Sequence, residues 1–133
     1  QVKQVSMTNG GSNWLHAVVQ IKKKTESDTK KIIKKTFEFH RSLKQVTVVD
    51  EDIDPNNAES VEYAMATRFQ ADKDLVIIKN VRGSSLDPSS DQKKLQTAKM
   101  GIDATRSTSK RPEGFEMAKI PKIDKIILEK YFK

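Results

Sequence analysis

The apolar positions along the chain fall into short runs that change period. Val2 to Met7 sets Val2, Gln4 and Ser6 against Lys3, Val5 and Met7, a weak strand pattern. Asn9-Gly10-Gly11-Ser12-Asn13 reads as a turn, with its glycines free to take positive φ. Trp14 to Ile21 is a stronger strand, with Trp14, His16 and Val18 on one face and Leu15, Ala17 and Val19 on the other. A helix capped by Thr25 or Ser27 follows and runs to about Phe39. Its core face is Ile32, Ile33, Thr36 and Phe37. Val46 to Val49 is apolar without alternation, the pattern of a strand buried on both faces, and it stops at Asp50, Glu51, Asp52 and Asp54.

Asn57 caps a second predicted helix with the stripe Val61, Ala64, Met65 and Phe69. Arg68 falls inside that stripe. A buried arginine needs a carboxylate, and the acidic turn is the nearest source, so Arg68 is expected to pair with Asp50 or Asp54. Leu75 to Ile78 is the third buried strand. These elements predict an α/β fold with a β-α-β-α-β core, right-handed crossovers and a mixed, mostly parallel sheet covered by helices on both faces. The acids then sit at the carboxyl end of a central strand, where open α/β sheets hold ligands.

Beyond Ile78 the periodicity fails. Asn80 to Ala98 reads as a long loop of functional type, and Lys99 to Ala104 as a short strand. Arg106 to Pro112 is a second polar loop. Pro121 opens a helix with the stripe Ile123, Ile126, Ile127 and Tyr131, widened by Leu128 and Phe132. Residues 1–120 are therefore expected to form one domain, and 121–133 a helix that packs or makes an oligomer contact.

The 133 residues suffice for one core. No apolar run reaches a membrane span, and no signal-peptide pattern is present. The absence of cysteine excludes disulfides, thiolate metal sites and a cysteine nucleophile, and it fits a cytoplasmic protein. A start at Gln1 suggests a piece of a longer chain. The net charge of +7 raises nucleic-acid binding. Yet Lys30, Lys31, Lys34 and Lys35 share one solvated helical arc with no interleaved aromatics, so no nucleic-acid partner is expected.

Asp50, Asp52 and Asp54 imitate a calcium loop, but its sixth position is Pro55 and its twelfth is Val61. The turn reads better as a partner for Arg68 or a lysine. His16 and His40 lie on different elements without metal-ligand neighbours. No nucleophile–base pair, Walker sequence or GxGxxG can be placed, Asn9-Gly10-Gly11 alone is a weak phosphate-loop signal, and no metal site is expected.

Several segments occur in a characteristic order: Trp14-Leu15-His16-Ala17-Val18-Val19-Gln20-Ile21, Val48-Val49-Asp50-Glu51-Asp52-Ile53-Asp54, Ala64-Met65-Ala66-Thr67-Arg68, Arg82-Gly83-Ser84-Ser85-Leu86-Asp87-Pro88-Ser89, and Lys99-Met100-Gly101-Ile102-Asp103-Ala104-Thr105. Together they resemble the C-terminal third of the UbiD-type decarboxylases (3-octaprenyl-4-hydroxybenzoate carboxy-lyase-like) across nearly the whole chain. The resemblance implies a carboxy-lyase that decarboxylates aromatic or α,β-unsaturated acids with prenylated FMN, Mn2+ and often K+. It further implies that the catalytic glutamate, its arginine and the metal ligands lie upstream, in a split-barrel domain. A flavin prenyltransferase would supply the cofactor, and the enzyme would be a homo-oligomer. On this chain the resemblance assigns Lys99 to the flavin phosphate, and Trp14, Val18 and Ile102 to walls beside the substrate. The remaining reading is a non-catalytic α/β binding or assembly module.

Overall fold

The computed structural model describes residues 1–118 and Pro121. The helix expected from Pro121 onward, and with it the boundary at 120/121, lies outside the described residues. Five strands form one sheet: β1 (Val2–Met7), β2 (His16–Ile21), β3 (Gln45–Asp50), β4 (Leu75–Arg82) and β5 (Gln96–Ala104). Their spatial order is β1-β2-β3-β5-β4. The three inner strands β2, β3 and β5 run parallel, and β1 and β4 flank them antiparallel. Helices α1 (Ser27–Phe39) and α2 (Ala58–Arg68) cover opposite faces, and a single turn, α3 (Ala71–Asp74), leads into β4. This is the expected α/β class, a mixed sheet with a parallel centre.

β3 holds the centre because its side chains serve both faces. Val46 and Val48 enter the cluster under α1 with Ala17, Val19, Ile21, Ile33, Phe37 and Leu43. Val49 enters the cluster under α2 with Val18, Ile53, Val61, Ala64, Ile102 and Ala104. Burying a Val, Leu or Ile fully contributes about 1.5–3 kcal/mol, so these two layers carry the fold.

Two expectations about the strands are corrected. Leu75–Ile78 is not a third buried parallel strand. It begins β4, an edge strand with Ile77 55% exposed, and it pairs antiparallel with β5, which inserts between β3 and β4. The long loop is also shorter than expected. Asn80 turns to φ 55° inside β4, where the register shifts between Ile78 and Val81. Asparagine tolerates that left-handed conformation, so the strand resumes to Arg82, and β5 starts at Gln96.

The turn after β1 is corrected as well. Ser12 and Asn13 take the positive φ values, 56° and 51°, and no glycine does. Gly11 is needed for space: a Cβ there would lie 2.6 Å from the Cβ of His16.

Asn57 caps α2, its side chain accepting from the Ser60 amide at 3.1 Å. At α1 neither Thr25 nor Ser27 caps. Instead Asp28, inside the first turn, accepts from the backbone N–H of Lys24 (3.0 Å) and Thr25 (2.9 Å) and from the Thr25 hydroxyl (2.8 Å). The 83–95 connection folds back on the domain. Asp87 is buried and accepts from Lys44 Nζ at 2.9 Å and from the Ser89 amide at 3.0 Å.

Candidate functional site

The carboxyl ends of β2, β3 and β5 converge on one crest. Asp50 ends β3, and its Oδ2 accepts from Arg68 Nη1 at 2.8 Å and from the Arg106 amide at 2.7 Å. Arg68 also forks onto Asp52, at 2.9 Å and 2.8 Å. Arg106, just past β5, adds its guanidinium to Asp50 at 3.4 Å and to Asp52 at 3.8 Å. Burial alone would lower the Arg68 pKa, but the hydrogen bonds and charges of Asp52 and Asp50 raise it. The Arg68 hydrogen bond holds the Asp52 carboxyl below its usual range. Asp54, expected as a partner of Arg68, is not one. It accepts from the Asn56 amide at 2.9 Å and closes its own turn.

Beside this pair, Lys23 follows β2. Its Nζ donates to Glu26 at 2.6 Å and lies 3.9 Å from Asp103. Burial pushes the Asp103 carboxyl up, against hydrogen bonds from the Thr105 hydroxyl and amide. Glu26 is also met by Ser107 and Thr108 from the loop after β5.

The second candidate region faces α1. Lys99 lies inside β5, not at a strand start, and is 4% exposed. Its ammonium donates to the Arg41 carbonyl and stands 5.3 Å from the Phe37 ring centroid. Among the described residues it has no carboxylate partner, and burial lowers its pKa. It lines a groove of about 580 Å3 with Phe37, Ile78 and Val81 as apolar floor, Lys34, Arg41 and Arg82 around them, and one acid, Glu38, at the edge, which Lys35 engages. A desolvated cation ringed by further cations fits a phosphate.

The walls expected beside the substrate separate into two places. Val18 and Ile102 stand in register across Thr47 and are 1% and 6% exposed within the α2-side core. Trp14 precedes β2, is 40% exposed, donates to the Ser84 hydroxyl at 3.2 Å and meets the His40 ring edge-on at 5.0 Å. His16 is engaged at both nitrogens, by Thr8 (3.1 Å) and Thr47 (3.0 Å), and burial lowers its pKa. Among the described residues no group of three or more His, Cys, Asp or Glu side chains is placed to hold a metal. The manganese implied by the resemblance therefore has no donor set among the described residues.

Residues 1–104 match the 3-octaprenyl-4-hydroxybenzoate carboxy-lyase C-terminal domain family. The chain belongs to this family. This UbiD-type domain is 58% identical over 120 residues to anhydromevalonate phosphate decarboxylase of Methanocaldococcus jannaschii, a match covering 90% of this chain and 28% of that one. It is 33% identical over 144 residues to gallate decarboxylase of Lactiplantibacillus plantarum, covering 29% of that protein. Its fold superposes with a TM-score of 0.85 on the UbiD-class enzyme HmfF from Pelotomaculum thermopropionicum in complex with FMN, at 45% identity, covering 98% of this chain and 29% of that one. The UbiD-type domain thus spans less than a third of the length of these relatives.

The sequence singles out Asp50, Arg68 and Lys99 but gives no sign that Lys23, Glu26, Arg106 and Thr108 gather beside them. Glu26 and Thr108 are 82 positions apart and Asp50 and Arg106 are 56 apart. No local period signals such pairs. The one available hint was their position at the ends of strands that become parallel neighbours.

Proposed function

We propose that this UbiD-type domain serves a longer decarboxylase that uses prenylated FMN and acts on a phosphorylated α,β-unsaturated carboxylic acid. The observation that carries the reading is the 58% identity to an anhydromevalonate phosphate decarboxylase, against 33% to a gallate decarboxylase. Lys99 is read as the contact to the flavin phosphate, because its buried ammonium lacks a carboxylate partner among the described residues. The flavin supplies a covalent electron sink when bound, and the chain's own residues hold and orient. Trp14, 40% exposed, is read as the wall residue open to the reacting acid, while Val18 and Ile102 act from within the α2-side core by shaping the sheet behind it.

The catalytic acid–base residues and the sites for manganese and potassium are assigned to a split-barrel domain preceding this one. The working protein is read as a cytoplasmic homo-oligomer that receives its cofactor from a flavin prenyltransferase. No group of three or more His, Cys, Asp or Glu side chains is placed to hold a metal among the described residues, and the catalytic glutamate is read as lying upstream, so the 133-residue chain alone is expected to release no CO2.

The test is to recover the full reading frame and co-express it with a flavin prenyltransferase. CO2 release is then measured from anhydromevalonate phosphate, its dephosphorylated acid and gallate. Turnover of the phosphorylated acid alone supports the reading. Turnover of gallate in its place, or turnover by the 133-residue chain by itself, overturns it.

A further inference from the structure

The loop after β5 and the lead-in to α1 build a group of donors around one half-exposed carboxylate. Glu26 accepts from Lys23 Nζ (2.6 Å), Ser107 Oγ (3.2 Å), Thr108 Oγ1 (2.6 Å) and the Thr108 amide. Burial works to raise its pKa, but the hydrogen bonds from Lys23 and Thr108 hold it at about 2. Glu26 occupies the N-cap position of α1, yet its side chain makes no capping bond, and Asp28 in the first turn ties down the lead-in through the Lys24 and Thr25 amides. The Glu26 side chain is 53% exposed while that of Lys23 is 5% exposed. Lys23 is thus held in place by its burial, and the half-exposed Glu26 side chain has solvent to move into once its bonds are replaced.

The same donors line a cavity of about 280 Å3 with Arg106, Lys110 and Asp50. Asp50 and Arg106 answer each other across the cavity wall, which leaves Lys23 and Lys110 as its remaining cations. It opens at the carboxyl ends of β2 and β5, the end of a parallel sheet where ligands bind. A phosphate monoester brings three strong acceptor oxygens and a charge of about −1.5 to −2, and it suits these donors better than one carboxylate.

We propose that Lys23, Ser107 and Thr108 seat the phosphate monoester of the substrate, and that Glu26 is its internal stand-in, displaced on binding. The proposal rests on the phosphorylated-acid reading above and locates that phosphate on this chain, apart from the Lys99 groove. Charge-assisted hydrogen bonds from Lys23 and the Thr108 amide then anchor the remote end of the substrate, which is how binding energy far from the reacting carbons orients them.

The experiment is an NMR titration of the 15N-labelled 133-residue chain with isopentenyl monophosphate, isopentenol, inorganic phosphate and FMN in separate arms. Isopentenyl monophosphate is expected to shift the Ser107 and Thr108 amides, with inorganic phosphate weaker at the same amides and isopentenol silent. Glu26→Ala should tighten the monophosphate by roughly tenfold by removing the competitor, and Thr108→Val should weaken it by roughly tenfold. Silence of both amides toward the monophosphate in wild type and in Glu26→Ala overturns the proposal. So does a response to FMN without one to isopentenyl monophosphate, or tighter binding of inorganic phosphate than of the ester. No arm reads decarboxylation, so a negative titration leaves the decarboxylase reading standing. Likewise, loss of that reading on gallate turnover would not be mistaken for a failure of this site.

Discussion

Arg68 Nη1 reaches Asp50 Oδ2 at 2.8 Å, joining the last turn of α2 to the end of the central strand. The Arg68 side chain is 1% exposed and that of Asp50 9%, so the pair is withdrawn from water. Removing one partner of such a pair leaves an uncompensated buried charge and costs about 3–5 kcal/mol. Arg68→Ala is therefore expected to lower the urea midpoint markedly. Asp50→Ala should lower it less, because Arg68 keeps its two hydrogen bonds to Asp52, and the double variant should lose less than the sum. Strictly additive losses would show that the two side chains do not act as a pair. Asp52, with its side chain 46% exposed, should matter less on its own.

Gly101 sits on β5 facing α1, and a Cβ there would collide with the side chain of Ile33, which is 0% exposed. Neither the helix nor the strand has room to retreat from a close-packed layer. Gly101→Ala is expected to destabilise by about 1–3 kcal/mol through overpacking. Gly10→Ala is the control, because a Cβ there meets nothing within 4 Å. Equal unfolding midpoints for the two variants would contradict this account of the α1–sheet contact.

What the sequence made legible follows from range. The apolar run Val46–Val49 announced a strand buried on both faces, and β3 lies at the centre of the sheet. The placement of Arg68 inside an apolar stripe announced a buried cation near acids. Period alone could not give direction, so Leu75–Ile78 read as another parallel strand when it is an edge strand paired antiparallel with β5. Nor could it show that Asn80 absorbs a left-handed kink and lets β4 continue, which brings Lys99 into the interior of β5. The Glu26 cluster was invisible because its members meet only after β2 and β5 have taken their places on either side of β3.

Acid should loosen the start of α1 before it loosens the core. Hydrogen bonds from the Thr25 and Lys24 amides hold Asp28 at about 2, and Glu26 is likewise held at about 2. Both folded values lie below the unfolded ones, so their stabilisation is complete above the unfolded carboxylate range. It is lost as pH falls from about 4.5 toward 2. The urea midpoint of the wild type should drop through that window, and the drop should be shallower in Asp28→Asn. The variant should already be less stable than wild type at pH 7. An identical pH profile for wild type and variant would remove Asp28 from the account.

Lys99 offers a way to separate binding from stability. Its ammonium is buried over Phe37 and held by the Arg41 carbonyl, without a carboxylate partner among the described residues. Burying such a charge costs stability unless something compensates it. Lys99→Met keeps the length and apolar stem of the side chain and removes the charge, so the domain should unfold at the same urea concentration or a higher one. A phosphate seated in the groove would reverse the preference, because a charge-assisted hydrogen bond contributes about 1.5–3 kcal/mol. In the full-length protein Lys99→Met should therefore lose flavin roughly ten- to a hundredfold more readily. Lys99→Arg should recover part of that retention, since the charge survives with a different geometry. The two readouts are urea unfolding of the 133-residue chain and the flavin absorbance of the purified full-length variants. A destabilised Lys99→Met with unchanged flavin content would make Lys99 a structural residue bonded to Arg41, with no part in holding the cofactor.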